Sequence, residues 1–147
     1  MAGESDKFLQ KYHKALVMAV KDQLEKVKPR IASDWVKDWQ GELGGPVEGE
    51  EDFRLKFEEF LQKELGFAGT ASVTIEGEEL RIQVEECAIC PANEILRQQG
   101  EPTLCPILST GLLAISRVLG KNAELLGVEK DGRVGYCTIK YRITKKR

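Results

Sequence analysis

Four cysteines are the residues of this chain whose type and spacing point most directly to chemistry. Cys87, Cys90, Cys105 and Cys137 follow the pattern C-x2-C-x14-C-x31-C, and all lie in the second half of the 147 residues. Four soft thiolates that include a CxxC pair match the ligand set of a tetrahedral zinc site or of an iron–sulfur cluster. In an oxidising compartment the same four residues would form two disulfides.

Two further interpretations of the cysteines stay open. Cysteine is among the most often buried residue types, so all four could be free thiols packed in a core. Cys87 and Cys90 could also form a redox dithiol, although the sequence around them lacks the βαβ pattern of a thioredoxin-like motif. We predict that the four cysteines together bind a metal, with zinc as the first candidate and a 4Fe–4S cluster as the alternative.

Composition narrows the class of protein. The start, MAGESDKFLQKYHKAL, is charged and does not resemble a secretory leader, and the longest apolar run, residues 15–20, is too short to span a bilayer. We therefore expect a cytoplasmic protein without a membrane span. The formal charge of −2, from 24 acids and 22 bases, predicts no direct contact with nucleic acid.

Catalytic motifs are poorly represented. His13 is the only histidine, which argues against a Ser-His-Asp or Cys-His arrangement, and no P-loop or GxGxxG follows a predicted strand. The sequence therefore predicts no catalytic residue.

The first half of the chain has helical periodicity. Residues 5–28 predict a long amphipathic helix that turns a stripe of Phe8, Tyr12, Leu16, Val20 and Leu24 toward the core. We expect Pro29 to kink this helix or to begin a new one. His13 lies off the stripe and is expected in solvent. A second helix at 51–65 carries an aromatic face that predicts core packing, with a ligand pocket as the alternative.

The second half switches to a period of two. Alternation over 71–76 and 80–85 predicts a hairpin, and strands at about 122–129 and 134–143 predict another. Helices are expected at 91–99 and, buried, at 104–119. The basic end, residues 140–147, is expected to be an edge strand and a solvated tail. These elements predict one α+β domain over 1–147: an antiparallel sheet of about four strands packed by an N-terminal helical part (1–66) and a buried central helix.

Strand parity and helix position place two of the cysteines. Cys137 shares a face with Ile139 and Tyr141 and is expected to point to the core. Cys105 precedes Pro106 at the start of the buried helix, where the helix dipole would lower its pKa. Cys87 and Cys90 fall where a strand turns into a helix. The four cysteines are therefore predicted to converge at one end of the sheet.

The last 60 or so residues resemble the 4-vinyl reductase domain family, also described as hydrocarbon-binding proteins and distantly similar to vesicle-tethering (TRAPP) subunits. The resemblance lies in EPTLCPI before a glycine-containing apolar helix, in LLGVE, and in GYCTIKYRI. It implies a small α+β domain, often dimeric, with an apolar cavity between helices and sheet. It also implies zinc in some members and small aromatic, hydrophobic or tetrapyrrole-like ligands.

The resemblance further implies that Cys105, Glu129 and Cys137 occupy metal-site positions. Sensor members carry one more cysteine between the last two, whereas this chain has the short loop KDGRVGY. Cys87 and Cys90 are candidates to replace that ligand.

We therefore predict a non-catalytic, metal-containing module that binds or senses a small hydrophobic ligand, with a possible homodimer through the N-terminal helices. An iron–sulfur or thiol-based redox protein is the alternative, and a tetrapyrrole vinyl reductase is a third hypothesis.

Overall fold

A computed structural model describes residues 4–146, with side chains from Lys7 onward. The helices are α1 (Glu4–Val20), α2 (Leu24–Leu43), α3 (Glu50–Glu59), α4 (Cys90–Gln98) and α5 (Pro106–Ala114). The strands are β1 (Ala68–Glu76), β2 (Glu79–Cys87), β3 (Lys121–Lys130) and β4 (Cys137–Lys145). A 3-10 turn, Lys21–Gln23, separates α1 from α2. Among these residues no helix is both long and apolar enough to cross a membrane.

The strands form one antiparallel sheet in the order β1-β2-β4-β3. Within each hairpin the two consecutive strands pair with each other, β1 with β2 and β3 with β4. The two hairpins join through β2 and β4, where Ile82 lies opposite Ile139. This confirms the predicted α+β class. The prediction that the basic C-terminal segment is an edge strand is wrong, because β4 pairs on both sides and the edges are β1 and β3. The alternation of apolar and polar residues along a strand indicates which face of that strand is buried, but it does not indicate which other strands pair with it.

One face of the sheet is covered by helices and forms the main core. Strand β4 contributes Ile139, Tyr141 and Ile143 to this core, all of them buried as parity predicted. The aromatic side chains of α3 pack on Trp39 of α2, whose ring centroid lies 5.0 Å from that of Phe60. The aromatic stripe therefore packs as core between helices.

Helix α1 is rotated relative to the predicted orientation. Phe8, Tyr12 and Leu16 are exposed, with 66%, 60% and 37% of their surface accessible, whereas His13 and Val17 are buried. The expectation of a solvated His13 is therefore wrong. Its Nε2 lies 2.9 Å from Oδ1 of Asn93, a residue of α4 that is itself buried. The polar pair across α1 and α4 sets the rotation that apolar periodicity did not predict.

The break between the first two helices lies earlier than expected. It falls in the 3-10 turn after Val20, and Pro29 sits inside α2 without ending it. Proline at this position removes one hydrogen bond to the preceding turn, and the packed helix tolerates that loss.

Two helices pass into their strands in the same way. Helix α3 continues into a π-helical turn, Phe60–Leu65, and α5 into another, Ile115–Leu119. Each turn ends at a glycine in the left-handed conformation, Gly66 (φ +54°) and Gly120 (φ +77°). A left-handed residue at this position stops a helix, and glycine adopts it without a Cβ penalty.

Candidate cysteine centre

Each cysteine belongs to a different element, and the topology brings those element ends together. Cys87 is the last residue of β2, Cys90 the first of α4, Cys105 the residue that caps the start of α5, and Cys137 the first of β4. Cys137 lies opposite Val84, three residues before the end of β2. The predicted convergence at one end of the sheet is therefore seen in the fold.

Two backbone hydrogen bonds fix the segment that carries Cys87. Its N–H donates to the carbonyl of Gly135 over 2.9 Å, and the N–H of Ala88 donates to the carbonyl of Phe67 over 2.8 Å. Gly135 is buried with φ +94°, and a Cβ there would lie 3.3 Å from the Cys87 nitrogen. The loop 131–136 therefore approaches Cys87 closely only because Gly135 has no side chain.

All four cysteines are free thiols that contact the main core. Cys87 is buried, with 6% of its surface exposed, and the other three are half-buried. The cysteines are therefore largely shielded from bulk water, although Cys90, Cys105 and Cys137 each keep part of their residue surface exposed.

The thiols of Cys87 and Cys90 are neighbours and differ in acidity. Hydrogen bonding from Cys87 lowers the pKa of Cys90 to about 7, helped by the charges of Lys130 and Arg97 and by the N–H of Gly135. The same hydrogen bond, together with burial, raises the pKa of Cys87. The pair therefore favours one thiolate, on Cys90, hydrogen-bonded by one thiol, on Cys87.

The other two cysteines are held as neutral thiols. Burial raises the pKa of Cys105, and burial followed by the proximity of Cys90 and Cys105 raises the pKa of Cys137 to about 12. The prediction that the α5 dipole lowers the pKa of Cys105 is therefore wrong. Its N–H partners at Ile107 and Leu108 do favour the thiolate, but desolvation outweighs them.

The donor set suits a soft metal, since four cysteines from four elements lie near one end of the sheet. In the side-chain positions seen here, however, residues 4–146 contain no group of three or more His, Cys, Asp or Glu side chains that could hold a metal ion. Metal binding by Cys87, Cys90, Cys105 and Cys137 therefore requires their side chains to turn from the positions seen here. Such a metal would hold the end of β2 and the start of β4 against the starts of α4 and α5.

Glu129 lies apart from the cysteines. It sits opposite Thr138 on β4, so it faces away from the side of the sheet that carries Cys137. Its carboxylate pairs with Lys140, and this hydrogen bond lowers its pKa. The residue on the cysteine side is its neighbour Lys130, which lies opposite Cys137. The metal-site position that the resemblance implied for Glu129 is therefore not matched by its place in this fold.

Two surface clefts flank the cysteine pair. A cleft of about 400 Å³, here called the Glu86 cleft, is walled by Gln10, 66–69, 86–88, Pro91, Val134 and Tyr136. A second cleft, of about 210 Å³, is lined by Cys90, Glu94, Lys130 and the loop 132–136. Val134 and Tyr136 border both. Lys130 and Tyr136 were not predicted to be neighbours of the cysteines, because only the pairing of β3 with β4 and the loop between them bring these two residues to the cysteine end of the sheet.

Comparison of the chain with protein-family models and with curated proteins finds no match.

Proposed function

We propose that this protein is a non-catalytic binding or sensory module in which Cys87, Cys90, Cys105 and Cys137 hold one metal ion. Zinc is the first candidate and a 4Fe–4S cluster the alternative. The observation that supports this proposal is the convergence of four cysteines from four separate elements on one end of the sheet.

The ligand of the proposed module is small and partly apolar, of the hydrophobic or tetrapyrrole-like kind that the resemblance implies. The Glu86 cleft supports this part of the proposal. Its volume of about 400 Å³ falls in the lower part of the range of small-molecule sites, roughly 300–1,000 Å³. Phe67, Val134 and Tyr136 give it apolar walls, and Cys87 lines its floor. A ligand there would touch the segment that the metal holds.

Metal analysis of protein purified without oxygen tests the proposal. We expect about one zinc per chain in a colourless protein, or iron with acid-labile sulfide in a brown one. Cys105→Ser and Cys137→Ser should each lower the metal content, whereas the control Glu129→Gln should retain it. Metal-free protein under reducing conditions, with zinc supplied and with no change in the serine variants, would contradict the proposal.

A second candidate function is a thiol-based redox protein. The adjacent Cys87 and Cys90 support it, because one is a buried thiol and the other a stabilised thiolate. Two-electron oxidation by a peroxide or a small disulfide would join their sulfur atoms: the Cys87 thiol loses its one proton, and the oxidant takes up the two electrons. Thiol counting after mild oxidation tests this, and Cys87→Ser should prevent the loss of two thiols. If all four thiols survive oxidation in metal-free protein, the redox candidate fails and the metal proposal is unaffected.

We also propose a homodimer through α1. The support is its exposed apolar face, formed by Phe8, Leu9, Tyr12 and Leu16, with the rings of Phe8 and Tyr12 stacked at 6.0 Å. Sedimentation of the protein and of Tyr12→Lys tests it, with Leu55→Lys on another exposed helix face as the control. A monomer at every concentration would overturn this part of the proposal.

A further inference from the structure

The backbone at Glu86 is strained where it meets the Glu86 cleft. Among residues 4–146 this is the only non-glycine residue with a positive φ, +58°. The left-handed conformation is disfavoured for a residue with a side chain, because its Cβ comes too close to the following carbonyl oxygen. The N–H groups of the next two residues, Cys87 and Ala88, donate hydrogen bonds to the carbonyls of Gly135 and Phe67, and these bonds hold the chain in this conformation. Strain of this kind concentrates where a side chain has to be presented in a particular direction.

The fold also makes room for the Glu86 side chain. Gly69 on β1 faces it, and a Cβ there would lie 3.1 Å from Oε2 and 3.2 Å from the Cβ of Glu86. The absence of a side chain at Gly69 therefore lets the glutamate lie along the wall of the cleft. The strained backbone of Glu86 and the missing side chain of Gly69 therefore both allow the Glu86 side chain to lie at the cleft wall.

The carboxylate of Glu86 is not engaged by the protein. Within the part of the chain whose side chains are described, this exposed carboxylate has no hydrogen bond or ion pair, whereas Glu129 and Asp131, at the same end of the sheet, are each paired with a cation. Arg133, next in sequence to Val134 of the cleft wall, is bound to Asp131 and lies 3.9 Å over the ring of Tyr136. A negative charge is thus left open beside apolar walls.

We infer that the Glu86 cleft binds a small amphiphilic cation, an ammonium group carried on an aromatic or aliphatic body. The ammonium would pair with the carboxylate of Glu86, and the body would lie against Phe67, Val134 and Pro91. The inference rests on the proposed binding function and deepens it, because it names the charge of the ligand and identifies Glu86 as the residue that binds this charge. A carboxylate that pairs with a cation inside a cleft is screened less than one on an open surface.

Benzylamine and benzyl alcohol, which share a body and differ in charge, serve as probes for amide chemical-shift titrations of reduced, isotope-labelled protein. We expect benzylamine to shift the amides of Phe67, Ala68 and Ala88 and to bind more tightly than the alcohol. Glu86→Gln should weaken benzylamine about tenfold, which corresponds to ~1.4 kcal/mol. The control, Glu85→Gln, alters the neighbouring exposed glutamate and should leave binding unchanged.

The outcomes separate this inference from the proposed function. Equal binding of both probes, or benzylamine binding that Glu86→Gln leaves intact, overturns the cation inference while a small-molecule cleft remains. If neither probe shifts cleft amides in a protein that carries its metal, the inference fails and the metal centre stands. A folded spectrum of each variant excludes unfolding as the cause of lost binding.

Discussion

Gly111 of α5 and Tyr141 of β4 lie so close that nothing larger than hydrogen fits between them. A Cβ at position 111 would be 2.2 Å from the tyrosine oxygen and 2.4 Å from the ring carbon that bears it. The buried hydroxyl donates to the carbonyls of Ile107 and Leu108, at 3.2 and 2.9 Å. The contact thus sets the distance between the central helix and the sheet.

Gly111→Ala should lower the free energy of unfolding by about 1–3 kcal/mol, the usual cost of overpacking a filled core. Urea denaturation followed by circular dichroism measures it. Gly41→Ala is the matched control, since Gly41 also lies in a helix but a Cβ at that position would have no atom within 4 Å. It should stabilise the protein by up to about 1 kcal/mol, through helix propensity alone. Equal effects of the two changes would contradict the close contact.

His13→Ala should destabilise the protein by about 1–3 kcal/mol, because it leaves the buried Asn93 amide without one of its partners. Asn93 also accepts from the N–H of Leu104 and donates to its carbonyl, so the effect should extend to the end of the α4–α5 connection, just before α5. Hydrogen exchange of α1 amides measures the loss of docking. Lys11→Ala, on the exposed side of the same helix, should leave exchange nearly unchanged.

Alkylation of reduced, metal-free protein should modify Cys90 first. Its pKa of about 7 means that the thiolate fraction, and with it the rate, rises through neutral pH. Cys87, Cys105 and Cys137 have raised pKa values and should react only in more alkaline solution. Peptide mass spectrometry after brief iodoacetamide treatment at several pH values measures this. Lys130→Gln should move the Cys90 profile to higher pH, and the same profile for all four cysteines would refute the assignment.

Glu64→Gln should stabilise the protein at pH values above 7. Hydrogen bonding to Glu42, with burial and the charges of Glu42 and Glu59, raises the pKa of Glu64 from 4.5 to about 7. The folded state therefore holds its proton more tightly than the unfolded chain, and stability declines as pH rises from 4.5 through 7. The glutamine variant should lose this decline, as thermal unfolding across that range can measure. Glu48→Gln, elsewhere on the surface, should retain it.

Glu86→Gly should raise stability by up to about 1 kcal/mol while it removes the carboxylate from the cleft, because relief of the left-handed backbone (about 1–2 kcal/mol) exceeds the entropy that glycine loses on folding (about 0.5–1 kcal/mol). Glycine adopts φ +58° without the penalty that glutamate bears there. Glu85→Gly, in an extended strand position, should instead lower stability by about 0.5–1 kcal/mol. Chemical denaturation of the two neighbours compares them directly. A destabilised Glu86→Gly would show that the side chain itself holds the bend.

Sequence periodicity predicted what depends on local pattern. The parity of β4 placed Cys137 and Tyr141 on the core side, and Pro106 marked the start of α5. The rotation of α1 was not predictable in this way, because the buried side carries Gln10, His13 and Lys14 beside Val17, whereas the more apolar side is exposed. The choice between them depends on Asn93, 80 residues further along the chain. The internal place of β4 and the strain at Glu86 likewise depend on which strands pair, which a single-strand pattern does not contain.

The two similar helix-to-strand junctions have a consequence for symmetry. Helix, π turn, left-handed glycine and hairpin occur twice in the same order, first from α3 to β2 and then from α5 to β4. In the strand order β1-β2-β4-β3, the first strand of each unit lies at an edge of the sheet and the second strand lies at the centre. The two central strands, β2 and β4, are antiparallel. The two units therefore repeat the same order of elements on opposite sides of the β2–β4 pair, although their sequences show no repeat. Helix α4 lies in the connection between them, so the two cysteines of the CxxC mark the junction: Cys87 ends the first unit and Cys90 begins that helix.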